Sequence, residues 1–504
     1  MGKSSLPSEF SLLQNRLREI NALRSASYLM YWDQATYLPE SAGESRGEHL
    51  SILEKMAHEL GTSDELGRWL EKLSDIGADF DSFQASLIRV AKKDFARNLK
   101  VPGELSAEIS RHGSVGYETW KKARVANDFS LVEPILEKTL VLSRKLSDCL
   151  REKAQTSVAD PLIDLEDPGF SVDTLRPIFA TLRKRLVPLL EKTAVRTDLD
   201  DSCLHQVFPE AEQIAFGEKI IRQLGYDFNR GRQDKTAHPF MIRFSSNDVR
   251  ITTRVKENDL SEALFSTVHE AGHALYELGI ASELDGSPLG RGASSGVHES
   301  QSRLWENLVA RSLDFWQHFY PKLQIAFPKQ LGAVSLKTFH RAINRVSRSL
   351  IRTDADEVSY NLHVMIRFDL ELDLLEGRLG IRDLPEAWNE RYRADLGLVP
   401  KHLSEGVLQD VHWFHGGVIG GVFQGYTIGN ILSAQLFAAA QKDLPQLSDS
   451  IRRGEFSSLR EWLKTHLHQH GRKYEGPDLI KRATGQTLDS SYYLNYLEKK
   501  YAML

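Results

Sequence analysis

The chain has almost no cysteine: Cys149 and Cys203 are the only two in 504 residues. They form no CxxC pair and no disulfide framework, which excludes a stapled scaffold and points to a reducing, cytoplasmic setting. Long apolar runs are missing as well. None approaches the roughly 18 residues that a membrane span needs, and the opening MGKSSLPSEF holds no apolar stretch of signal-peptide type. Charge of one sign is also lacking. The 64 basic and 69 acidic residues leave a net −5 spread along the chain. Neither nucleic acid nor a membrane is therefore an expected partner.

What is present is ordinary for a globular protein with a large core: 41% hydrophobic and 26% charged residues. At roughly 150 residues per domain the length suits about three domains or one large helical body. No repeat, low-complexity tract or composition shift marks a linker, so residues 1–504 read as a single helical domain. Within it the helices of about 1–150 are placed as a lid, and the metal-binding core lies at about 230–430.

Helical periodicity dominates. Leu12, Leu13, Leu17, Ile20 and Leu23 share one stripe, as do Phe83, Leu87, Ile88, Ala91 and Phe95. Further helical patterns run over about 130–155, 172–195, 209–224, 259–280, 298–324, 354–377 and 428–441. One region differs. HPFMIRF and VRITTRV, joined by the turn-like SSND at 245–248, are rich in β-branched and aromatic residues and predict a hairpin.

Just after the hairpin stands TVHEAGHALYE, residues 267–277. On a helix, His269 and His273 project from one face and can reach a single metal ion at about 2 Å. Glu270 is turned about 100° from His269, which leaves it beside a metal-activated water rather than among the ligands. Two imidazoles, a base and a third ligand from elsewhere are what zinc-assisted peptide hydrolysis requires. The alternative is a chance string of packed histidines, which the unbroken helical pattern around it disfavours. A third ligand fits the next helix, whose first turn carries Glu299. Glu306, two turns along the same face, and His298 are alternatives. A di-iron site would need ExxH on two helices. Among the 17 histidines only His273 has a glutamate three residues before it. HLHQH, with His466 and His470, lacks an adjacent acid and reads as a solvated helix end.

With these motifs in view, the chain resembles the carboxypeptidase Taq family of metallocarboxypeptidases, a helical gluzincin-type group. The resemblance spans nearly the whole length. YWDQATYLPE is similar to the family's WDxxTxxP segment, HPF at 238–240 to its HPF, and DVRIT at 248–252 to its DxRxT. HEAGH is followed by HESQ at 298–301, IRTDAD at 351–356 resembles IRxxAD, and GVLQDVHW at 406–413 resembles GxxQDxHW. One segment departs. Where many members carry FGYFPTYTLG, this chain has GGVIGGVFQGYTIGN at 416–430, two residues longer and with Gln424 in place of the proline.

The resemblance implies an all-α fold, a mostly helical body with a deep active-site cleft and a small hairpin or sheet near the metal site. It also implies Glu299 as third ligand, one zinc per chain (cobalt or manganese being the other candidates), a homodimer, and peptide substrates with a free C-terminus. Glu270 is the expected general base of a broad-specificity carboxypeptidase. An exopeptidase needs a cation for the terminal carboxylate, and arginine's planar fork suits it. Arg352 is the residue the resemblance implies. Arg250 is the next candidate for polar substrate contacts. His238, held extended by Pro239, is placed for a bond to substrate backbone or, failing that, to the hairpin. His412 and Tyr426 are the candidate donors to the oxyanion. Two other readings stay open here: an endo-acting oligopeptidase with the same chemistry, and a non-catalytic peptide-binding scaffold.

Overall fold

A computed structural model describes residues 8–74, 78–194 and 200–504, and among them helices dominate. The elements that build the site are α1 (Ser8–Thr36), α2 (Gly103–Ala126), the strands β1 (Gln233–Lys235), β2 (Met241–Ser245) and β3 (Asp248–Thr253), then α3 (Leu260–Gly279), α4 (Ser295–Arg303), α5 (Tyr360–Leu375) and α6 (Phe423–Asp443). No helix of the described residues is long and apolar enough to cross a membrane.

The predicted hairpin is real but incomplete. β2 and β3 pair antiparallel with Ile242 opposite Arg250, while β1 adds a third strand parallel to β3, in the order β1-β3-β2. Sequence reading missed β1 because its three residues, Gln233, Asp234 and Lys235, carry no β-branched side chain. β2 begins at Met241, so His238 and Pro239 precede the strand rather than belonging to it. On β3, Val249 and Ile251 are buried in the main core together with Leu264, Val268 and Leu275 of α3.

Two cores form. The larger takes in α2 through Trp120 and Ala123 and runs to the C-terminal helix. A smaller one joins Phe10, Leu13, Leu17 and Ile20 of α1 to Leu66, Leu70, Leu87 and Ile88, and reaches Ile280, Leu284 and Leu289 just beyond α3.

The helix expected over 298–324 is broken. It starts at Ser295, runs to Arg303, widens into a π turn over Leu304–Val309, and restarts at Leu313, where Ser312 caps it by accepting from Phe315 N–H. The apolar period continues through the π turn, which is why periodicity alone does not reveal it. Such single π turns collect at functional sites, and this one carries Glu306.

Candidate metal centre

α3 starts where Asp259 accepts a hydrogen bond from Ser261 N–H, and α4 starts where Ser294 does the same for Val297 N–H. The two helices approach to backbone distance at Gly272, where a Cβ would stand 2.6 Å from Ser302 Cα. That crossing brings Glu299 onto the histidine pair. Ligand atoms of His269, His273 and Glu299 all lie within 4.8 Å of one another. Glu299 Oε2 is 3.6 Å from His269 Nε2 and 3.4 Å from His273 Nε2. Burial pushes the His273 imidazole down to about 3, so it is neutral, as a metal ligand must be. Burial acts against the Glu299 carboxylate, but Arg303 and the two histidines outweigh it and hold the pKa well below the usual range.

The alternatives weighed from sequence have other places. Glu306 Oε2 lies 2.9 Å from His269 Nδ1, behind the ring rather than in the donor group, and also accepts from Arg303 at 3.0 Å. Arg303 further donates to Glu299 Oε1 at 2.6 Å. His298 faces the back of His273, with 2.6 Å between the two Nδ1 atoms. The His466–His470 pair joins no such donor group: His466 Nδ1 turns back to Trp462 O at 2.8 Å.

Glu270 sits on the same helix, buried, and its side chain makes no hydrogen bond. Burial pushes its carboxyl up to about 7, helped by the nearby Glu299 and Glu306 and opposed by His269.

A second cluster gathers around Asp410. Arg352 donates to Asp410 Oδ1 through two nitrogens, at 2.9 and 3.1 Å, and to the Tyr360 hydroxyl at 3.1 Å. Arg367 pairs with the other Asp410 oxygen and donates to Gln409 at 2.8 Å. The buried group therefore holds two cations against one anion. Tyr426 on α6 stacks beside Arg352, 5.4 Å from guanidinium to ring centre, and its hydroxyl lies 3.4 Å from His412 Nε2. Burial and Arg352 push His412 down to about 4. The short helix His412–His415 is fastened by Trp413, whose indole donates to Glu371 at 2.8 Å.

The remaining candidates stand apart. His238 is exposed and makes no hydrogen bond through its ring, so the structural bond to the hairpin is not made. Arg250 grips Asp248 with two bonds of 2.8 Å and lies over the Trp32 ring of α1. Gln424, the residue in place of proline, is buried and donates to Asp167 at 3.1 Å. Sequence reading assigned no part to Arg303, Glu277 or Asp410. Arg303 stands four residues after Glu299 and Glu277 four after His273, a same-face signal that was available. Asp410 had none beyond its motif.

The family model for carboxypeptidase Taq (M32) metallopeptidases matches residues 12–501. Thermostable carboxypeptidase 1 of Thermus thermophilus is 40% identical over 97% of each chain, and carboxypeptidase 1 of Bacillus subtilis 37% identical, again over 97% of each. The M32 carboxypeptidase of Deinococcus radiodurans superposes with a TM-score of 0.95 at 45% identity, over 99% of both chains. The chain belongs to the carboxypeptidase Taq (M32) metallopeptidase family and is a metallocarboxypeptidase.

Proposed function

We propose that His269, His273 and Glu299 hold one zinc ion per chain, with Glu270 as general base for removal of C-terminal residues from peptides. The observation that carries this is the convergence of the three donor groups within 4.8 Å. Two imidazoles and one carboxylate are a zinc-hydrolase donor set, and cobalt or manganese suits the same ligands. When bound, such an ion supplies a Lewis acid for both the water and the peptide carbonyl.

The chain's own groups supply the rest. Glu270 takes a proton from the attacking water and returns it to the departing amine. Tyr426 and His412 donate to the oxygen that becomes negative in the tetrahedral intermediate. Arg352 receives the substrate's terminal carboxylate. The excess positive charge around Asp410 supports that role, since three of the five guanidinium donors are taken and two remain. The unpartnered ring of His238 is available to substrate backbone, and Arg250 keeps donors beyond those that Asp248 takes.

The helices of about 1–150 serve as a lid, a reading supported for α1 by its separate core. The protein acts in the cytoplasm as a homodimer. Balanced charge and two unpaired cysteines support the first point; the family resemblance supports the second.

A pair of peptides identical except for a free or amidated C-terminus tests the reading. One zinc per chain and stepwise loss of terminal residues from the free acid alone are expected. Equal cleavage of both at internal bonds would replace it with an endo-acting oligopeptidase.

A further inference from the structure

We propose that His298, Glu277 and Arg243 form a relay that dictates which nitrogen of His273 carries the proton, leaving Nε2 as the free metal donor. The inference rests on His273 being a ligand, as proposed above.

The direction follows from Glu277. Its Oε1 lies 2.9 Å from His298 Nε2 and also accepts from Gly292 N–H at 2.9 Å. Arg243 Nε stands 3.3 Å from Oε2, close enough for charge pairing though not aligned as a hydrogen bond. A carboxylate only accepts, so His298 Nε2 must carry the hydrogen and donate. A neutral imidazole then has a bare Nδ1. That atom faces His273 Nδ1 across 2.6 Å, a separation that needs one hydrogen between the two nitrogens. His273 Nδ1 must supply it. The proton is thereby fixed on the back of the ring, and Nε2 keeps its lone pair toward Glu299.

The relay is built into the fold. Glu277 and His273 are one turn apart on α3, His298 lies in the first turn of α4, and Arg243 comes from β2, where Asp285 holds it at 2.6 Å. Gly292 must lack a side chain, because a Cβ there would sit 2.6 Å from His298 Cδ2. Tyr276 covers the His298 ring with centroids 5.1 Å apart. His269, by contrast, has Glu306 directly on its Nδ1. The two histidines are thus oriented by different routes, and only that of His273 runs through a second imidazole to the sheet.

Four variants and one spectroscopic measurement test the relay and the ligand assignment beneath it. Zinc affinity is read by chelator competition, with thermal unfolding of the metal-free protein as the control for structure. Glu277→Gln and His298→Leu should weaken zinc by about 10–100-fold, the scale on which ligand-orienting partners act. His298→Gln should stay close to the unsubstituted protein, because its amide accepts and donates in the same order. Nitrogen-15 spectra of the metal-free protein, assigned with His273→Ala and His298→Gln, should find the proton on Nδ1 of His273 and on Nε2 of His298. If His298→Leu fails to fold, Glu277→Gln and the spectra decide. A proton on His273 Nε2, unchanged affinity in Glu277→Gln, or equal losses in His298→Gln and His298→Leu would each overturn the relay. Full zinc binding by His273→Ala would instead overturn the ligand assignment on which it rests.

Discussion

Gly429 on α6 lies so close to Glu299 on α4 that a Cβ there would stand 2.5 Å from Glu299 Cγ. The missing side chain lets the two helices meet and sets the carboxylate against the histidines. Gly429→Ala should cost about 1–3 kcal/mol of stability through overpacking. Because the displaced atoms belong to the proposed ligand, zinc affinity should fall with it. Gly47→Ala, inside the helix Gly43–Gly61 and with nothing within 4 Å of an added Cβ, is the control. It should stabilise by roughly 0.5–1 kcal/mol through helix propensity alone. Denaturant unfolding and zinc titration of the two variants check this.

Glu270→Gln should lower kcat by about 10²–10⁴-fold, the range attributable to a general base, with one zinc per chain retained. The carboxylate makes no hydrogen bond that the amide would break. Turnover near that of the unsubstituted protein would remove Glu270 from the proton transfer.

Glu299→Ala and Glu306→Ala separate ligand from ligand support. The first should abolish tight zinc binding by deleting one of three donors. The second should weaken it by about 10–100-fold by freeing the His269 ring. Metal analysis after dialysis ranks the two, and the opposite order would exchange their roles.

Arg352→Ala should reduce kcat/KM on free-acid peptides by at least ~10-fold, as expected for loss of a desolvated charge pair. Amidated peptides, already poor substrates, should respond little. The fold should survive, because Arg367 still pairs with Asp410. Lysine should restore only part of the activity, having the charge without the fork. Equal losses on both peptide types would argue against a carboxylate clamp.

Tyr426→Phe should depress kcat by about 10²–10³-fold, the effect of removing one oxyanion donor, while KM changes little. A change confined to KM would make Tyr426 a binding residue.

Much of this was legible in one dimension. The i, i+4 histidines with their adjacent glutamate, the helical periods and the hairpin depend on neighbours within a few residues, where backbone geometry dictates which side chains share a face. The third strand escaped because Gln233–Lys235 is held as a strand by its pairing to β3 and not by its own side chains. The break after Arg303 escaped because a π turn adds a residue without interrupting the apolar pattern.

The sequence by itself determined the helix that carries the candidate ligands, those ligands themselves and the family pattern, since each is a local spacing or an ordered set of motifs. Only the tertiary structure separates Glu299 from Glu306 and His298 by position, because all three are close in sequence and differ only in which side of the histidines they reach. The glycine contacts at Gly272 and Gly429 set that choice by fixing how closely α3, α4 and α6 approach. The same holds for Asp410 between Arg352 and Arg367. Pairing across 58 and 43 residues leaves no periodic trace in the chain, and only packing in a buried, low-dielectric interior makes such charges seek one another.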